Sequence, residues 1–175
     1  MNKKEIYFIT GASGVGKTTL LSTLKEKYKS RPWTFLHFDE IGIPSVSVMK
    51  EEFGSPSAWQ EAKAHDLIHR SVFNNNSKKV FLEGQVNLQF IRNGFERIHF
   101  ANYTIILLDC SEEAMEKRLT HHRRQPELFN DDMRNWLKYL RNQAQEFGAI
   151  RIDTTYMSEN ETIAAFEDVI KLRSE

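Results

Sequence analysis

The sequence predicts an α/β fold in which helices cover both faces of a five-stranded parallel sheet, giving three layers. Five short apolar runs alternate along the chain with segments of helical periodicity. The runs are continuously apolar, as is typical of strands that are buried on both faces. Regular alternation of strand and helix favours parallel strands joined by right-handed crossovers.

The five predicted strands leave room for at least one helix in each interval. The first is a β-rich apolar run that ends at a glycine cluster, and the next three end at acidic residues. The predicted strands are residues 5–10, 33–38, 80–82, 103–108 and 149–152.

Helix signals fill the gaps between these strands. A helix is predicted at residues 17–28, directly after the glycine cluster, and another at 56–73, where Ser55 can cap a helix with proline at its first position. A third helical pattern covers residues 88–100. Ser111 is a second candidate N-cap, because two glutamates follow it in the first turn.

The last two predicted helices have clear starting and stopping signals. After Asn130, apolar residues recur at helical spacing until Gly148, a typical helix terminator. Ser158 and Glu161 form a capping box for a final helix that we predict to end near Arg173. Two segments, residues 41–54 and 121–129, are predicted to be irregular and to move over a ligand.

Composition limits the possible functions. The 175 residues are 40% hydrophobic, which suits a single domain spanning residues 1–175. The 24 basic and 24 acidic residues cancel, so charge favours neither nucleic acid nor a membrane surface as a partner. No apolar run approaches the roughly 18 residues of a membrane span. Because Cys110 is the only cysteine, no intrachain disulfide is possible, and a cytoplasmic location is expected.

The glycine cluster carries the most specific motif, G-x-x-x-x-G-K-[ST]. It lies between a predicted strand and a predicted helix, where backbone amides and the helix dipole can bind a polyphosphate. Lys17 supplies a charge for the β- and γ-phosphates, the Thr18 hydroxyl can ligate magnesium, and Thr19 follows in the same turn. The residues of this predicted nucleotide site are Gly11, Ala12, Ser13, Gly14, Val15, Gly16, Lys17, Thr18 and Thr19.

Three acidic strand ends are candidates for a second role near the metal. Asp39, Glu83 and Asp109 each follow an apolar strand. The carboxylate nearest the nucleotide must come from a strand beside the phosphate-loop strand. The pattern of residues alone does not rank the three, since the choice depends on the order of strands in the sheet.

At this point the chain resembles the P-loop kinases of the nucleoside-monophosphate-kinase-like group, which includes shikimate, gluconate and adenylylsulfate kinases. The resemblance covers nearly the whole chain and rests on the phosphate loop and on Asp39 and Glu83 after the second and third strands. It implies the strand order 2-3-1-4-5. It also implies that Glu83 binds magnesium through water and that Asp39 orients the acceptor of the phosphoryl group.

The resemblance further implies a small lid at about residues 120–130. Arg118, Arg123 and Arg124 look like the arginines that close over a transferring phosphoryl group in these kinases. Arg123 is the preferred catalytic arginine, and Arg118 is its alternate and a nucleotide ligand. The turn at residues 153–156 resembles the loop that packs beside the adenine base.

The acceptor-side segment, about residues 40–78, contains a single arginine, Arg70. The third strand continues as Glu-Gly-Gln-Val-Asn, without the arginine that clamps a phosphate in the monophosphate kinases. A hydroxyl acceptor is therefore favoured over a nucleoside monophosphate. Gln85, Asn87 and Arg92 are candidates for further hydrogen bonds to it.

The predicted function is ATP-dependent and magnesium-dependent transfer of a phosphoryl group to a small molecule. Lys17, Asp39 and Arg123 are the predicted catalytic residues. The alternative is a nucleotide-dependent switch or regulatory ATPase in which the acidic pair at residues 39–40 activates water. Residues 39–42 fit the D-x-x-G of GTPases, but no N-K-x-D motif follows, and the chain is short for the helical lid domain of ring-forming ATPases.

Overall fold

A computed structural model describes residues 4–74 and 76–172. Its five strands form one sheet in the order β2-β3-β1-β4-β5, and all neighbouring strands are parallel. This confirms the predicted α/β fold and the strand order. The strands are β1 (Glu5–Thr10), β2 (Trp33–His37), β3 (Lys79–Glu83), β4 (Tyr103–Asp109) and β5 (Ile150–Asp153).

Within the described residues, seven α-helices connect and cover the strands. They are α1 (Lys17–Lys27), α2 (Val46–Phe53), α3 (Pro56–Phe73), α4 (Leu88–Arg97), α5 (Glu112–Lys117), α6 (Asp131–Phe147) and α7 (Glu159–Leu172). Two short 3-10 helices and one π-helix add to them: Phe38–Ile41, Pro126–Leu128 and Arg118–His122. The predicted end of the last helix at Arg173 lies outside the described residues. Among these helices, none combines the length and apolar character required to cross a bilayer.

The segment at residues 41–54 was expected to be irregular, and this expectation is wrong for most of it. Helix α2 occupies residues 46–53. The side chain of Ser45 caps its start by accepting a hydrogen bond from the amide of Val48, and Gly54 ends it in the left-handed conformation. The proline and glycines that suggested a loop therefore flank a short helix, whose Met49 is buried against the core.

Other helix signals were correct. Ser55 caps α3 through the amide of Ala58, and Asn130 caps α6 through the amide of Met133. Ser158 and Glu161 form the predicted capping box at the start of α7. Helix α4 ends at Arg97, a few residues before the predicted end at residue 100. The capping side chains therefore determine where these helices begin and where the loops before them end.

The sheet separates two apolar cores. Alternate residues of β1 point to opposite faces, so Tyr7 and Ile9 pack on one side while Ile6 and Phe8 pack on the other. On the first face the strands pack against α1, α5 and α7, and on the second against α2, α3 and α4, while α6 contributes to both. The carboxyl ends of all five strands lie at the same edge, where the predicted site residues are found.

Candidate active site

The phosphate loop joins β1 to α1 in a tight curve that requires glycine. Gly11 has φ +155°, and a Cβ atom there would lie 2.5 Å from the carbonyl oxygen of Leu108. Gly16 has φ +104° and is the N-cap of α1, so the helix begins at Lys17 as predicted. The backbone therefore passes close to the end of β4. The amino end of α1 faces the loop, and the positive end of a helix dipole stabilises an anion.

Lys17 lies close to the other charged residues that the sequence predicts for the site. Its Nζ donates a hydrogen bond to the carbonyl oxygen of Ala12 at 3.0 Å. Burial lowers the pKa of Lys17 to about 8, the charges of Glu83 and Asp39 act in the opposite direction, and Arg123 lowers it further. The fold thus brings three residues from distant parts of the sequence into the electrostatic environment of Lys17.

The order of the strands determines which of the three acidic candidates lies beside the phosphate loop. Strand β3 lies beside β1, with Glu83 in register with Ile9. Glu83 is only 5% exposed, and its Oε1 lies 3.5 Å from the hydroxyl oxygen of Thr18. The same oxygen lies 2.7 Å from Nδ1 of His37, the last residue of β2. Sequence reasoning missed His37, although the predicted strand order places the ends of β2 and β3 side by side.

Thr18 and Glu83 are suited to magnesium. A hydroxyl and a carboxylate are the hard oxygen ligands that this ion prefers, and magnesium is usually bound by one or two carboxylates together with the phosphates of the substrate. Across residues 4–74 and 76–172, no group of three or more His, Cys, Asp or Glu side chains is arranged to hold a metal ion. Thr18 and Glu83, one a hydroxyl and the other a carboxylate, have the chemistry that could hold this ion beside the phosphate loop.

Asp109, the third acidic candidate, is held by hydrogen bonds to other residues of the fold. It is completely buried, and its Oδ2 accepts hydrogen bonds from Nε of Arg141 at 2.8 Å and from Nε of Arg151 at 2.6 Å. Its other oxygen accepts the amide of Cys110 at 2.8 Å. This carboxylate joins β4 to α6 and β5, and its hydrogen bonds leave it no evident role towards a ligand.

We expect Asp109→Asn to lower the free energy of unfolding by about 3 kcal/mol, because it leaves two arginines without their buried partner. Both arginines reach solvent, which keeps the cost near the lower end for buried ion pairs. Asp153→Asn is the matched control, since it removes an exposed carboxylate 3.4 Å from Arg151 and should cost about 1 kcal/mol or less. Urea denaturation measures both. Equal effects would contradict the structural role of Asp109.

Arg118 lies beside the phosphate loop. Its guanidinium donates to the hydroxyl and carbonyl oxygens of Thr154 at 2.9 and 2.6 Å, and it lies 3.4 Å from the carbonyl oxygen of Val15. A small cleft of about 130 Å³ adjoins this contact, and Met157 contributes to its wall. Arg118 thus joins the phosphate loop to the turn that follows β5, the turn predicted to lie beside a nucleobase.

A π-helix at Arg118–His122 leads into residues 120–130, the segment predicted to be a lid. Leu119 is buried, and a Cβ atom on Gly14 would lie 3.0 Å from its side chain, so the π-helix packs directly on the phosphate loop. Arg123 follows the π-helix and is exposed to solvent. The π-helix is therefore fixed to the phosphate loop, while the exposed Arg123 lies near enough for its charge to lower the pKa of Lys17.

The residues predicted to face the acceptor follow β2 and β3. Asp39 is exposed on the 3-10 helix at Phe38–Ile41. The side chain of Gln85 accepts a hydrogen bond from Ser13 of the phosphate loop at 2.9 Å. The other two hydrogen-bonding candidates are engaged elsewhere: Asn87 caps α4, and Arg92 pairs with Glu96.

Comparison with protein families identifies the family to which the chain belongs. The model of the AAA domain family (AAA_18) matches residues 8–137, which include the phosphate loop, the acidic strand ends and the predicted lid. The chain belongs to the AAA domain family. No curated protein matches this AAA domain chain.

Solved structures confirm the resemblance to the shikimate and gluconate kinase-like P-loop fold. The AAA domain chain is similar to a gluconokinase from Sinorhizobium meliloti, with a TM-score of 0.66, 16% identity and 98% coverage of both chains. It is also similar to a shikimate kinase from Acinetobacter baumannii in complex with shikimate, with a TM-score of 0.61, 16% identity and coverage of 98% of this chain and 93% of that one. A shikimate kinase from Aquifex aeolicus gives a TM-score of 0.62 at 16% identity, with 97% and 98% coverage.

Proposed function

We propose that this AAA domain protein is a cytoplasmic kinase that transfers the γ-phosphoryl group of ATP to a hydroxyl group of a small molecule. One observation carries the proposal: the phosphate-loop lysine shares its environment with two carboxylates and an arginine, all near the carboxyl ends of the strands. Phosphoryl transfer needs this combination, because catalysis is mainly positioning and charge neutralisation.

Each residue has a defined part in the proposed reaction. The amides of residues 11–18 and the Lys17 ammonium bind the β- and γ-phosphates. Asp39 orients the acceptor hydroxyl and takes its proton as the acceptor oxygen bonds to phosphorus. The bond from phosphorus to the bridging oxygen breaks, ADP leaves, and Arg123 stabilises the charge on the transferring group.

Magnesium supplies charge neutralisation across the β- and γ-phosphates when it is bound. Thr18 and Glu83 are the residues that would hold it, Glu83 through a water molecule. The 3.5 Å separation of their oxygens supports this assignment. Thr19 and Arg118 complete the nucleotide site on the side of the cleft near Thr154.

Charge supports a hydroxyl acceptor over a nucleoside monophosphate. A monophosphate needs arginines beside the crevice. Arg70 of α3 lines a cleft with His37 and Glu40, but it is the single arginine of residues 40–78 and pairs with Asp66 at 3.1 Å. Arg92 pairs with Glu96 at 2.6 Å, and its guanidinium lies 5.3 Å from the ring centroid of Phe147 at the far end of α6. We therefore propose an alcohol as the acceptor, bound between residues 40–78 and a lid at residues 120–130 of a single domain.

A regulatory ATPase is the second candidate, and the match to the AAA domain family favours it. In that case Asp39 or Glu40 would activate water, and a change of shape would be the output. The two functions predict different dependence on the acceptor.

An acceptor panel tests the proposal. The full chain is incubated with ATP and magnesium, and ADP release is measured with nucleosides, nucleoside monophosphates, sugar acids and small alcohols. We expect ADP release to increase with at least one alcohol or sugar acid and to remain at the basal rate with monophosphates. ATP hydrolysis that no acceptor changes, but that a protein partner increases, would favour the regulatory ATPase.

A further inference from the structure

We propose that His37 is a positioning residue that holds the Glu83 carboxylate in the orientation required to bind magnesium. The inference deepens the proposed function and rests on it, because it concerns the same metal site. It starts from a residue pair that no phosphate-loop motif contains: the last residues of two adjacent parallel strands, whose side chains meet.

The contact between the two side chains is short and largely shielded from solvent. Nδ1 of His37 lies 2.7 Å from Oε1 of Glu83, and the side chains are 17% and 6% exposed. A carboxylate that binds a metal is deprotonated and only accepts hydrogen bonds, so in the proposed metal-binding state Nδ1 is the donor. The pairing of β2 with β3 places the two Cα atoms in register, so the backbone itself holds the pair together.

Other groups near Glu83 do not replace this hydrogen bond. The hydroxyl of Thr18 is at 3.5 Å, the limit of a hydrogen bond, and Lys17 directs its ammonium to the carbonyl oxygen of Ala12 at 3.0 Å. A buried carboxylate without a good hydrogen-bond donor turns towards another partner, and it then loses the orientation that a metal requires. The imidazole therefore determines where the Glu83 oxygens point.

Removing the hydrogen-bond partner of a residue that ligates a metal directly typically reduces metal affinity by about 10-fold to 100-fold. Because Glu83 is proposed to bind magnesium through water, we expect the lower end of this range, about 10-fold, for His37→Leu, measured as the loss of the effect of magnesium on nucleotide binding. His37→Asn should retain most of that effect, because its amide nitrogen can take the place of Nδ1. Leucine and asparagine have nearly the same shape, so the pair of variants separates hydrogen bonding from packing.

The experiment measures binding and needs no acceptor. Calorimetry gives the affinity of the full-length protein and its variants for the non-hydrolysable ATP analogue AMP-PNP, with magnesium and with EDTA. In wild-type protein we expect magnesium to strengthen binding. In His37→Leu the affinity in EDTA should be unchanged, and the gain from magnesium should fall by about 10-fold. His69→Phe is the control, since His69 is an exposed residue of α3 that packs on Phe73.

The outcomes separate this inference from the proposed function. If wild-type protein does not bind AMP-PNP under either condition, the proposed function is overturned, and the inference with it. If wild-type protein shows the gain from magnesium and His37→Leu keeps it in full, or His37→Asn loses as much as His37→Leu, only the role of His37 is overturned. Circular dichroism checks that each variant is folded, and His37→Ala replaces His37→Leu if the latter is not.

Discussion

Replacing Lys17 with methionine is expected to reduce phosphoryl transfer by about 100-fold to 1000-fold, the usual loss when one preorganised charge stabiliser is removed from a transition state. Methionine keeps the unbranched shape of the lysine stem but has no charge for the β- and γ-phosphates. Steady-state kinetics with the acceptor found in the panel measures the loss. Lys25→Met, on the same helix but exposed, is the control and should behave like wild-type protein. Equal activity of the two variants would contradict the role of Lys17.

The same substitution should stabilise the protein without nucleotide. The folded-state pKa of Lys17, about 8, lies below the ordinary value of 10.5, so the folded state binds this proton less tightly than the unfolded state. The charged lysine therefore destabilises the fold at pH 7, and the free energy of unfolding should rise as the pH increases from about 8 to 10.5. We expect Lys17→Met to have a higher Tm at pH 7 and to lose this pH dependence. A lower Tm at pH 7 would contradict this account.

Asp39→Asn is expected to reduce kcat by about 100-fold to 10,000-fold, the range for loss of a general base, with little change in ATP affinity. Asparagine can still orient the acceptor hydroxyl but cannot take its proton. Glu40→Gln is the matched control, because Glu40 is the next residue of the same 3-10 helix, is also exposed, and loses one negative charge. Kinetics and calorimetry separate the two steps.

The results for Asp39 and Glu40 can also reverse the assignment. If Asp39→Asn transfers phosphate at the normal rate, Asp39 is not the base. If only Glu40→Gln loses activity, the neighbouring carboxylate takes this role. A loss of ATP affinity in Asp39→Asn would show that the substitution acts on the nucleotide and not on the acceptor.

Local signals predicted most of the fold. The glycine cluster, the capping side chains Ser55, Asn130 and Ser158, and the continuously apolar strands each act over a few residues, so the sequence displays them directly. The order of the strands came from the resemblance to P-loop kinases, and the observed sheet has that order. Helix α2 was missed because Pro44 and Gly54 were interpreted as loop residues, whereas they flank a helix.

The roles that the sequence did not predict depend on contacts between residues that lie far apart in the chain. Asp109 and Glu83 both end apolar strands, but only the fold shows that Asp109 meets two arginines from α6 and β5, while Glu83 meets His37 from β2. Arg92 was a candidate for the acceptor site, yet the direction of α4 and its pairing with Glu96 place it elsewhere. Such choices depend on tertiary pairing, which no short sequence window contains.

The side chains of Arg118 and Arg123, at the two ends of the arginine-rich segment, differ in their contacts. Arg118 is tied to Thr154, and Leu119 rests on Gly14, while Arg123 extends into solvent. The backbone between them is held, because the amide of Arg123 donates to the carbonyl oxygen of Arg118 and the amide of Gln125 to that of Leu119. We therefore expect Arg123 to reach a bound nucleotide by rotation of its own exposed side chain, a faster motion than the displacement of a backbone segment.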